Sequence, residues 1–137
     1  MMISTKGRYA LRVMIDLAQH KDDGFVSLKE IARRQGISQK YLEMIVACLN
    51  KAGLVLSQRG KEGGYRLSRQ CDCFTVGEIM KLMEGSLAPV ACLDRGAAPC
   101  LRAEECLTLP MWRHLDSIID QYLSSITIQD LIDGTVK

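Results

Sequence analysis

The apolar positions of this chain fall into two kinds of pattern. Over most of the length they recur every three or four residues, which is the period of an amphipathic helix with one buried face. Around residues 54–67, two short apolar-rich runs flank a stretch dense in glycine, as expected for a β-hairpin. The pattern therefore predicts a mainly α-helical protein that carries one small hairpin.

Polar residues with short side chains mark where the helices begin. Ser4 and Thr5 can each cap the first helix, and Ser38, Thr75 and Thr108 each precede an apolar helical stripe. Ser27 with Glu30 forms the signature of a capping box. Predicted helices cover residues 5–20, 28–35, 39–51, 76–83, 109–126 and 128–132, and Gly36 separates the second from the third.

Two short helices joined by a glycine turn and followed by a basic hairpin predict a winged helix-turn-helix. The hairpin tip carries Arg59 and Lys61 among three glycines. We expect residues 1–84 to form the DNA-binding domain. Residues 85–137 then supply a cysteine loop, a long C-terminal dimerisation helix and a short final helix. The apolar stripe of that helix is long for so small a domain, so the helix either completes the core or pairs with a second copy. We favour pairing, because DNA-binding proteins of this kind usually work as two-fold dimers.

Composition limits the class of protein. The 137 residues, 47% hydrophobic and 25% charged, suit one water-soluble domain. No apolar run approaches the roughly 20 residues of a membrane span, and the first residues lack the apolar core of a signal peptide. We therefore expect a cytoplasmic protein with no membrane contact. In that compartment six cysteines are expected to be ligands, redox groups or core residues rather than disulfides.

Charge is divided unevenly along the chain. Residues 1–70 hold 13 Lys and Arg against 6 Asp and Glu, a net +7, whereas residues 71–137 hold 5 against 10, a net −5. A basic half with a winged helix is expected to bind double-stranded DNA. Neither histidine stands in a recognisable dyad with a nucleophile, so we expect no enzymatic activity.

Individual roles in DNA binding follow from position. The first turn of the second helix of the motif points into the major groove, and a carboxylate at Glu43, one turn along, can accept from a cytosine amino group. Arg59 can reach bases or a narrow minor groove. The candidate DNA-binding residues are Lys6, Arg8, Ser38, Gln39, Lys40, Tyr41, Glu43, Arg59 and Lys61.

Three cysteines crowd the segment before the long helix. Cys92, Cys100 and Cys106 are separated by seven and five residues, on a stretch with Gly96 and Pro99. A loop of this kind can turn its thiolates toward one point, and soft thiolates suit zinc or an iron–sulfur cluster. The remaining cysteines carry weaker signals: Cys48 is expected in the core, and Cys71 with Cys73 forms either an accessory pair or part of a linker.

Five motifs in this order resemble one family. They are Ser-Thr-Lys-Gly-Arg-Tyr-Ala (4–10), Gly-Ile-Ser-x-x-Tyr-Leu-Glu (36–43), Gly-Leu-Val (53–55), Arg-Gly-x-x-Gly-Gly-Tyr (59–65) and Cys-Leu-Thr-x-x-x-Trp-Arg-x-Leu (106–115). They resemble the IscR/NsrR-type regulators over nearly the whole chain. The resemblance implies a homodimeric transcriptional regulator, such as a repressor, with a crossed dimerisation helix. It also implies an iron–sulfur cluster, [2Fe-2S] or [4Fe-4S], held by Cys92, Cys100 and Cys106, that senses cluster, redox or nitric oxide status.

The cysteine loop departs from the pattern of that family. Seven residues separate the first two cysteines where the pattern has five, and Leu109 stands where one branch has a histidine ligand. Arg8 stands near the position from which other relatives supply an acidic ligand. His114 lies about 12 Å along the helix from Cys106 and is a poor ligand candidate. The fourth ligand is unknown, with Asp94, Glu104, Glu105, Cys71 and Cys73 as candidates.

A second hypothesis dispenses with the cluster. The same loop can stabilise a DNA-binding or interaction protein through zinc or through bare thiols. Zinc would leave the protein colourless, whereas an iron–sulfur cluster would make it brown.

Overall fold

The computed structural model describes residues 3–136 of the chain. The mainly helical fold with a single hairpin is confirmed, and the helix bounds lie close to those predicted. No helix within the described range is both long and apolar enough to cross a membrane. In chain order the elements are α1 (Thr5–Gln19), α2 (Leu28–Gln35), α3 (Gln39–Lys51), β1 (Val55–Gln58), β2 (Gly64–Leu67), α4 (Val76–Glu84), α5 (Leu109–Ser124) and α6 (Ile128–Asp133).

Side-chain caps define where several helices start. The hydroxyls of Ser4, Ser38 and Thr75 each accept a hydrogen bond from the backbone N–H three residues on. Each cap satisfies one of the N–H groups that have no partner inside the helix. The three predicted caps are therefore confirmed.

The capping box predicted at Ser27 forms only in part. The Ser27 hydroxyl accepts from the Glu30 N–H at 3.2 Å. The Glu30 carboxylate does not return to Ser27 but pairs with Arg33 at 2.8 Å and Arg34 at 3.3 Å. The prediction that Glu30 reaches back was wrong, because two guanidinium groups on the same helix compete for its carboxylate.

The hairpin is anchored to the helical part of the domain. Its strands pair antiparallel, with Val55 opposite Leu67. Tyr65 also pairs with Val26, just before α2, through two backbone hydrogen bonds of 2.8 Å. A Cβ on Gly64 would lie 2.2 Å from the Val26 carbonyl oxygen, so this close approach requires glycine.

The largest group of buried side chains joins α1, α2, α3, the hairpin, α4 and α6. Although α6 follows α5 in the chain, its Ile128 is completely buried in this group. Two backbone hydrogen bonds hold the start of α6 beside the start of α4. The Val76 N–H donates to Ile126 O at 2.8 Å, and the Ile128 N–H donates to Phe74 O at 3.0 Å. The largest completely buried side chains of the group are Phe74, Met14, Leu17, Ile31, Leu42, Ile45, Leu49, Ile79 and Ile128.

A smaller apolar group attaches α5 to α4. Val76, Met80, Leu87 and Ile126 are buried there, and the partly buried Ile119 and Leu123 of α5 pack against them. Along the 16 residues of α5, only Leu109 is buried. The helix therefore uses one narrow side for packing and leaves most of its surface in solvent.

Candidate functional site

The solvent side of α3 carries most of the residues predicted to contact bases. Gln39, Lys40 and Glu43 are exposed. The opposite side of the helix is buried through Leu42, Ile45, Val46 and Leu49. Helical periodicity thus presents the predicted polar residues on one face, away from the core.

Ser38 and Tyr41 have structural contacts as well as a place in the first turn of α3. The Ser38 oxygen accepts from the Tyr41 N–H at 3.1 Å, which leaves the hydroxyl proton available for donation. The half-buried Tyr41 ring meets the Tyr9 ring edge-on, with centroids 5.7 Å apart. Arg12 lies over the Tyr9 ring, with its guanidinium carbon 5.2 Å from the ring centroid.

A buried ionic group connects α1 with the end of α2. Asp16 is 1% exposed and accepts from Arg34 at 2.7 and 3.0 Å and from the Gln35 amide at 2.9 Å. Burial alone would raise the pKa of Asp16. The hydrogen bonds of Arg34 and Gln35, with the charges of Arg34 and His20, outweigh burial and hold that pKa below its ordinary value. The helix that precedes α3 is therefore tied to the core by a charged pair.

The hairpin tip presents its two predicted cations to solvent. Arg59 and Lys61 are both exposed between the strands. Gly60 has φ +110°, and a Cβ on Gly63 would lie 2.1 Å from the Gln58 carbonyl oxygen. These two glycines therefore permit the backbone conformation of the tip and its close approach to the preceding strand.

Lys6 and Arg8 lie on the first two turns of α1. Arg8 is exposed, and its guanidinium donates to the Thr5 hydroxyl at 3.3 Å. Lys6 is half-buried. The start of α1 thus adds positive charge to the domain that contains α3 and the hairpin.

The three candidate ligands share one long segment between α4 and α5. Cys92 and Cys100 are exposed, and Cys106 is half-buried. Every residue from 94 to 102 is exposed, so this part of the loop packs against little of the described chain. Hereafter, "cysteine loop" denotes residues 85–108.

Cys106 has a distinct chemical environment at the start of α5. Thr108 holds the N-cap position, but its side chain makes no capping hydrogen bond. Its hydroxyl lies instead 3.4 Å from Cys106 Sγ. That hydroxyl, followed by the backbone N–H groups of Thr108 and Leu109, lowers the pKa of the Cys106 thiol. The predicted side-chain cap was wrong, and its hydroxyl contacts a candidate ligand instead.

The other cysteines lie apart from the loop. Cys71 is buried and donates to the Gln129 side-chain oxygen at 2.8 Å, so it belongs to the packing of α6. Cys73 is exposed, and a hydrogen bond to Asp72 raises the pKa of its thiol. Cys48 is half-buried against the core, as predicted.

One candidate for the fourth ligand, Asp94, already accepts a hydrogen bond within the loop. Asp94 accepts from the Ser86 hydroxyl at 2.9 Å. Glu104, Glu105 and His114 are exposed. Within residues 3–136, no three His, Cys, Asp or Glu side chains lie together in a way that would hold a metal ion. The donor set of three thiols on one exposed loop has the chemistry for iron or zinc, but this conformation does not gather it.

α5 presents an apolar stripe that the rest of the described chain leaves in solvent. Met111, Leu115, Ile118 and Tyr122 are 53%, 38%, 47% and 50% exposed. Their spacing of three or four residues places them on one side of the helix. That side differs from the one on which Ile119 and Leu123 pack.

Two groups of residues beside the predicted DNA-binding residues were not identified from the sequence pattern. The solvent face of α3 continues through Met44, Ala47 and Asn50, all exposed. Their spacing from Lys40 was the signal that would have revealed them. Tyr9 and Arg12 on α1 lie against Tyr41 and Gln35, and only the folded chain shows those contacts.

Comparison with known proteins identifies relatives of this arrangement. The model of the Rrf2 family, described as iron-dependent transcriptional regulators, matches residues 3–134. A protein of Photobacterium profundum described as the HTH-type transcriptional regulator IscR is 42% identical over 138 residues. The match covers 100% of this chain and 79% of that protein.

Solved structures match the whole fold. CymR of B. subtilis, described as its global cysteine regulator, superposes with a TM-score of 0.79 at 37% identity, covering 98% of both chains. IscR of T. potens superposes with a TM-score of 0.77 at 38% identity, covering 98% of this chain and 88% of that one.

Proposed function

This chain belongs to the Rrf2 family of transcriptional regulators, and on that premise we propose that it binds operator DNA as a homodimer, under the control of its cysteine loop. As a DNA-binding regulator it is not an enzyme. The observation that carries the proposal is the solvent face of α3, where Lys40 and Glu43 stand exposed in the same domain as the Arg59 hairpin tip.

The proposed contacts divide into base readout and phosphate binding. Glu43 accepts from a cytosine amino group in the major groove, and Arg59 reaches bases or a narrow minor groove. The first turn of α3 positions its residues against base edges and the neighbouring backbone. Phosphate contacts come from Lys6, Arg8, Lys40 and Lys61, and first-turn contacts from Ser38, Gln39 and Tyr41.

Binding to a selected duplex tests this assignment. A site is selected from a random 30-bp pool with the wild-type protein, and its affinity is measured by fluorescence anisotropy at several salt concentrations. Affinity must fall steeply with salt, because phosphate contacts release counterions. Glu43→Ala and Arg59→Ala must relax base preference, whereas Arg113→Ala on α5 serves as an exposed-cation control. An affinity that is flat from low to moderate salt would contradict the proposal.

DNA binding and regulation are assigned to successive parts of the chain. We assign DNA binding to residues 1–84 and regulation to residues 85–137, although α6 packs into the same core as α1. We assign dimerisation to the exposed apolar stripe of α5, because a second copy would cover it. We also assign the protein to the cytoplasm, where its operator DNA would lie.

We assign Cys92, Cys100 and Cys106 as ligands of an iron–sulfur cluster. Support comes from three thiols on one loop, two of them exposed, from the lowered pKa of Cys106, and from the family description as iron-dependent. A bound cluster would supply an oxidant- and nitric-oxide-sensitive centre. The protein's own contribution is to present thiolates, which the environment of Cys106 favours.

Iron content tests the ligand assignment. The wild type and the Cys92→Ala, Cys100→Ala and Cys106→Ala variants are purified without oxygen, and iron, sulfide and visible absorption are measured. Each variant must lose iron, whereas Cys48→Ala, which changes a cysteine outside the loop and outside the candidate ligands, must retain it. If one of these variants keeps full iron content and an unchanged spectrum, the cysteine replaced in it is not a ligand. Holo and apo proteins should then differ several-fold in affinity for at least one site.

A cluster-free regulator is the second candidate. The three cysteines of the loop, which the described conformation does not gather, favour its bare-thiol form. In that case the loop acts through zinc or bare thiols, and Cys106, with its lowered pKa, is the thiol poised to react. Colourless protein with stoichiometric zinc, or with no metal and an oxidant-sensitive affinity for DNA, would support this candidate over the cluster.

A further inference from the structure

The solvent face of α3 contains an apolar part that the proposed polar contacts leave unused. Met44 is 47% exposed, and Ala47 is exposed one turn further along. Successive residues of a helix turn by about 100°, so Met44 lies only ~40° and Ala47 only ~20° from Lys40 around the axis. Both side chains therefore stand near the middle of the face that is turned away from the core.

Glu43 and Met44 flank that midline on opposite sides. Glu43 precedes Lys40 by ~60° around the axis, whereas Met44 follows it by ~40°. A helix lying in the major groove with this face inward would bring the carboxylate toward one side of the groove and the thioether toward the other. Polar readout by Glu43 consequently leaves a second set of base edges beside Met44.

The chemistry of Met44 restricts what it can recognise. A thioether has no N–H or O–H and is at best a weak acceptor, and the neighbouring Ala47 adds only a methyl group. Among base edges in the major groove, thymine alone presents a methyl group, while the others present donors and acceptors. Placing Met44 against those polar edges would strip their hydration without replacing it. A flexible, polarizable side chain suits contact with a methyl group.

We propose that Met44, supported by Ala47, contacts the C5-methyl group of a thymine in the half-site and makes this protein select thymine at that position. The inference rests on the proposed function, since it needs α3 in the major groove. The occupant is duplex DNA rather than another protein, because the apolar pair is set among Lys40, Asn50 and Lys51 on one exposed face.

Removal of single methyl groups tests the contact. The probe is the duplex selected from the random pool, and each thymine of one half-site is replaced in turn by deoxyuridine, which lacks only the C5-methyl group. The wild type should bind at least one of these duplexes about fourfold more weakly, the ratio for one buried methyl group. Met44→Ala should bind that duplex and its parent equally.

The controls separate this contact from general effects. Met44→Ala lies on an exposed helix face and should keep the wild-type helical content and stability. Leu101→Ala removes a fully exposed apolar side chain from the cysteine loop and should keep the deoxyuridine penalty.

Different experimental outcomes would contradict this inference and the proposed function. A selected half-site without thymine, unchanged affinity for every deoxyuridine duplex, or a penalty that survives in Met44→Ala would overturn the assignment of Met44 alone. If the wild type enriches no sequence from the pool, both proposals fail.

Discussion

Glu84 accepts two hydrogen bonds from Ser4 through one oxygen, from the backbone N–H at 3.0 Å and from the hydroxyl at 2.6 Å. Glu84 is the last residue of α4, where the cysteine loop begins, and Ser4 caps α1. A Cβ on Gly7 would lie 2.2 Å from the same carboxylate oxygen. The start of the loop and the start of α1 are therefore joined by a charged contact that needs glycine beside it.

We expect Glu84→Ala to destabilise the protein by about 1–3 kcal/mol, since two hydrogen bonds to a charged acceptor are lost. Urea unfolding of the apo protein measures the change. Glu78→Ala is the matched control on the same helix, because its carboxylate pairs with Arg69 at the surface and should contribute about 0–1 kcal/mol.

Gly7→Ala should depend on Glu84. In the wild type the added methyl group displaces the Glu84 carboxylate and should cost stability. With Glu84→Ala already present, only the flexible end of Met80, whose Cε would lie 2.9 Å from the added Cβ, has to shift. Alanine is about 0.5–1 kcal/mol better than glycine inside a helix, so Gly7→Ala should then cost much less stability than in the wild type, or stabilise the protein. Additive effects of the two substitutions would show that the carboxylate and Gly7 are not coupled.

Asp16→Asn should destabilise the protein by about 3 kcal/mol at pH 7, because it leaves Arg34 without its buried partner. The folded pKa of Asp16 lies below the unfolded value, so its stabilisation is complete above that unfolded value, about 4. The stabilisation is lost as pH falls through the folded pKa. The difference in unfolding free energy between wild type and Asp16→Asn should therefore become smaller below pH 4. Unfolding at pH 7 and pH 3 measures it, with Glu30→Gln as an exposed control.

Cys106 should be alkylated faster than Cys73 by iodoacetamide at neutral pH in the apo protein. The pKa of Cys106 is lowered and that of Cys73 is raised, so Cys106 has the larger thiolate fraction. Thr108→Val removes the contributing hydroxyl and should slow the reaction of Cys106 without changing that of Cys73. Peptide mass spectrometry over time gives both rates, and equal rates in wild type and Thr108→Val would exclude the role of the hydroxyl.

Leu115→Glu should convert a dimer into a monomer, because it places a charge in the middle of the apolar stripe of α5. Sedimentation equilibrium measures the mass in solution. Ser117→Glu adds the same charge on another side of α5 and should leave the dimer intact. A wild-type protein that is monomeric at micromolar concentration would remove the proposed interface.

The local elements of this protein could be predicted from the chain alone. Ser4 and Ser38 cap helices as predicted, because an N-cap bond involves only residues three apart and needs no distant partner. The hairpin was equally predictable, since its glycines have to permit turns and close approach within a few residues. The family was recognisable too, because its motifs lie in the same order along the chain.

Features that depended on competition between partners could not be predicted in this way. Ser27 with Glu30 and Thr127 with Asp130 share one capping signature, yet only the second pair forms the reciprocal bonds, since Arg33 and Arg34 draw Glu30 away.

The cysteines and α5 show the same limit of local pattern. Cys71 was expected in an accessory pair or a linker, but it is buried and donates to Gln129, a partner 58 residues away. The two apolar edges of α5 are alike in sequence, and only the position of α4 decides which edge packs and which remains for a second copy. Neighbours distant in the chain settle such choices, because the free energy of a contact depends on what else can reach the same group.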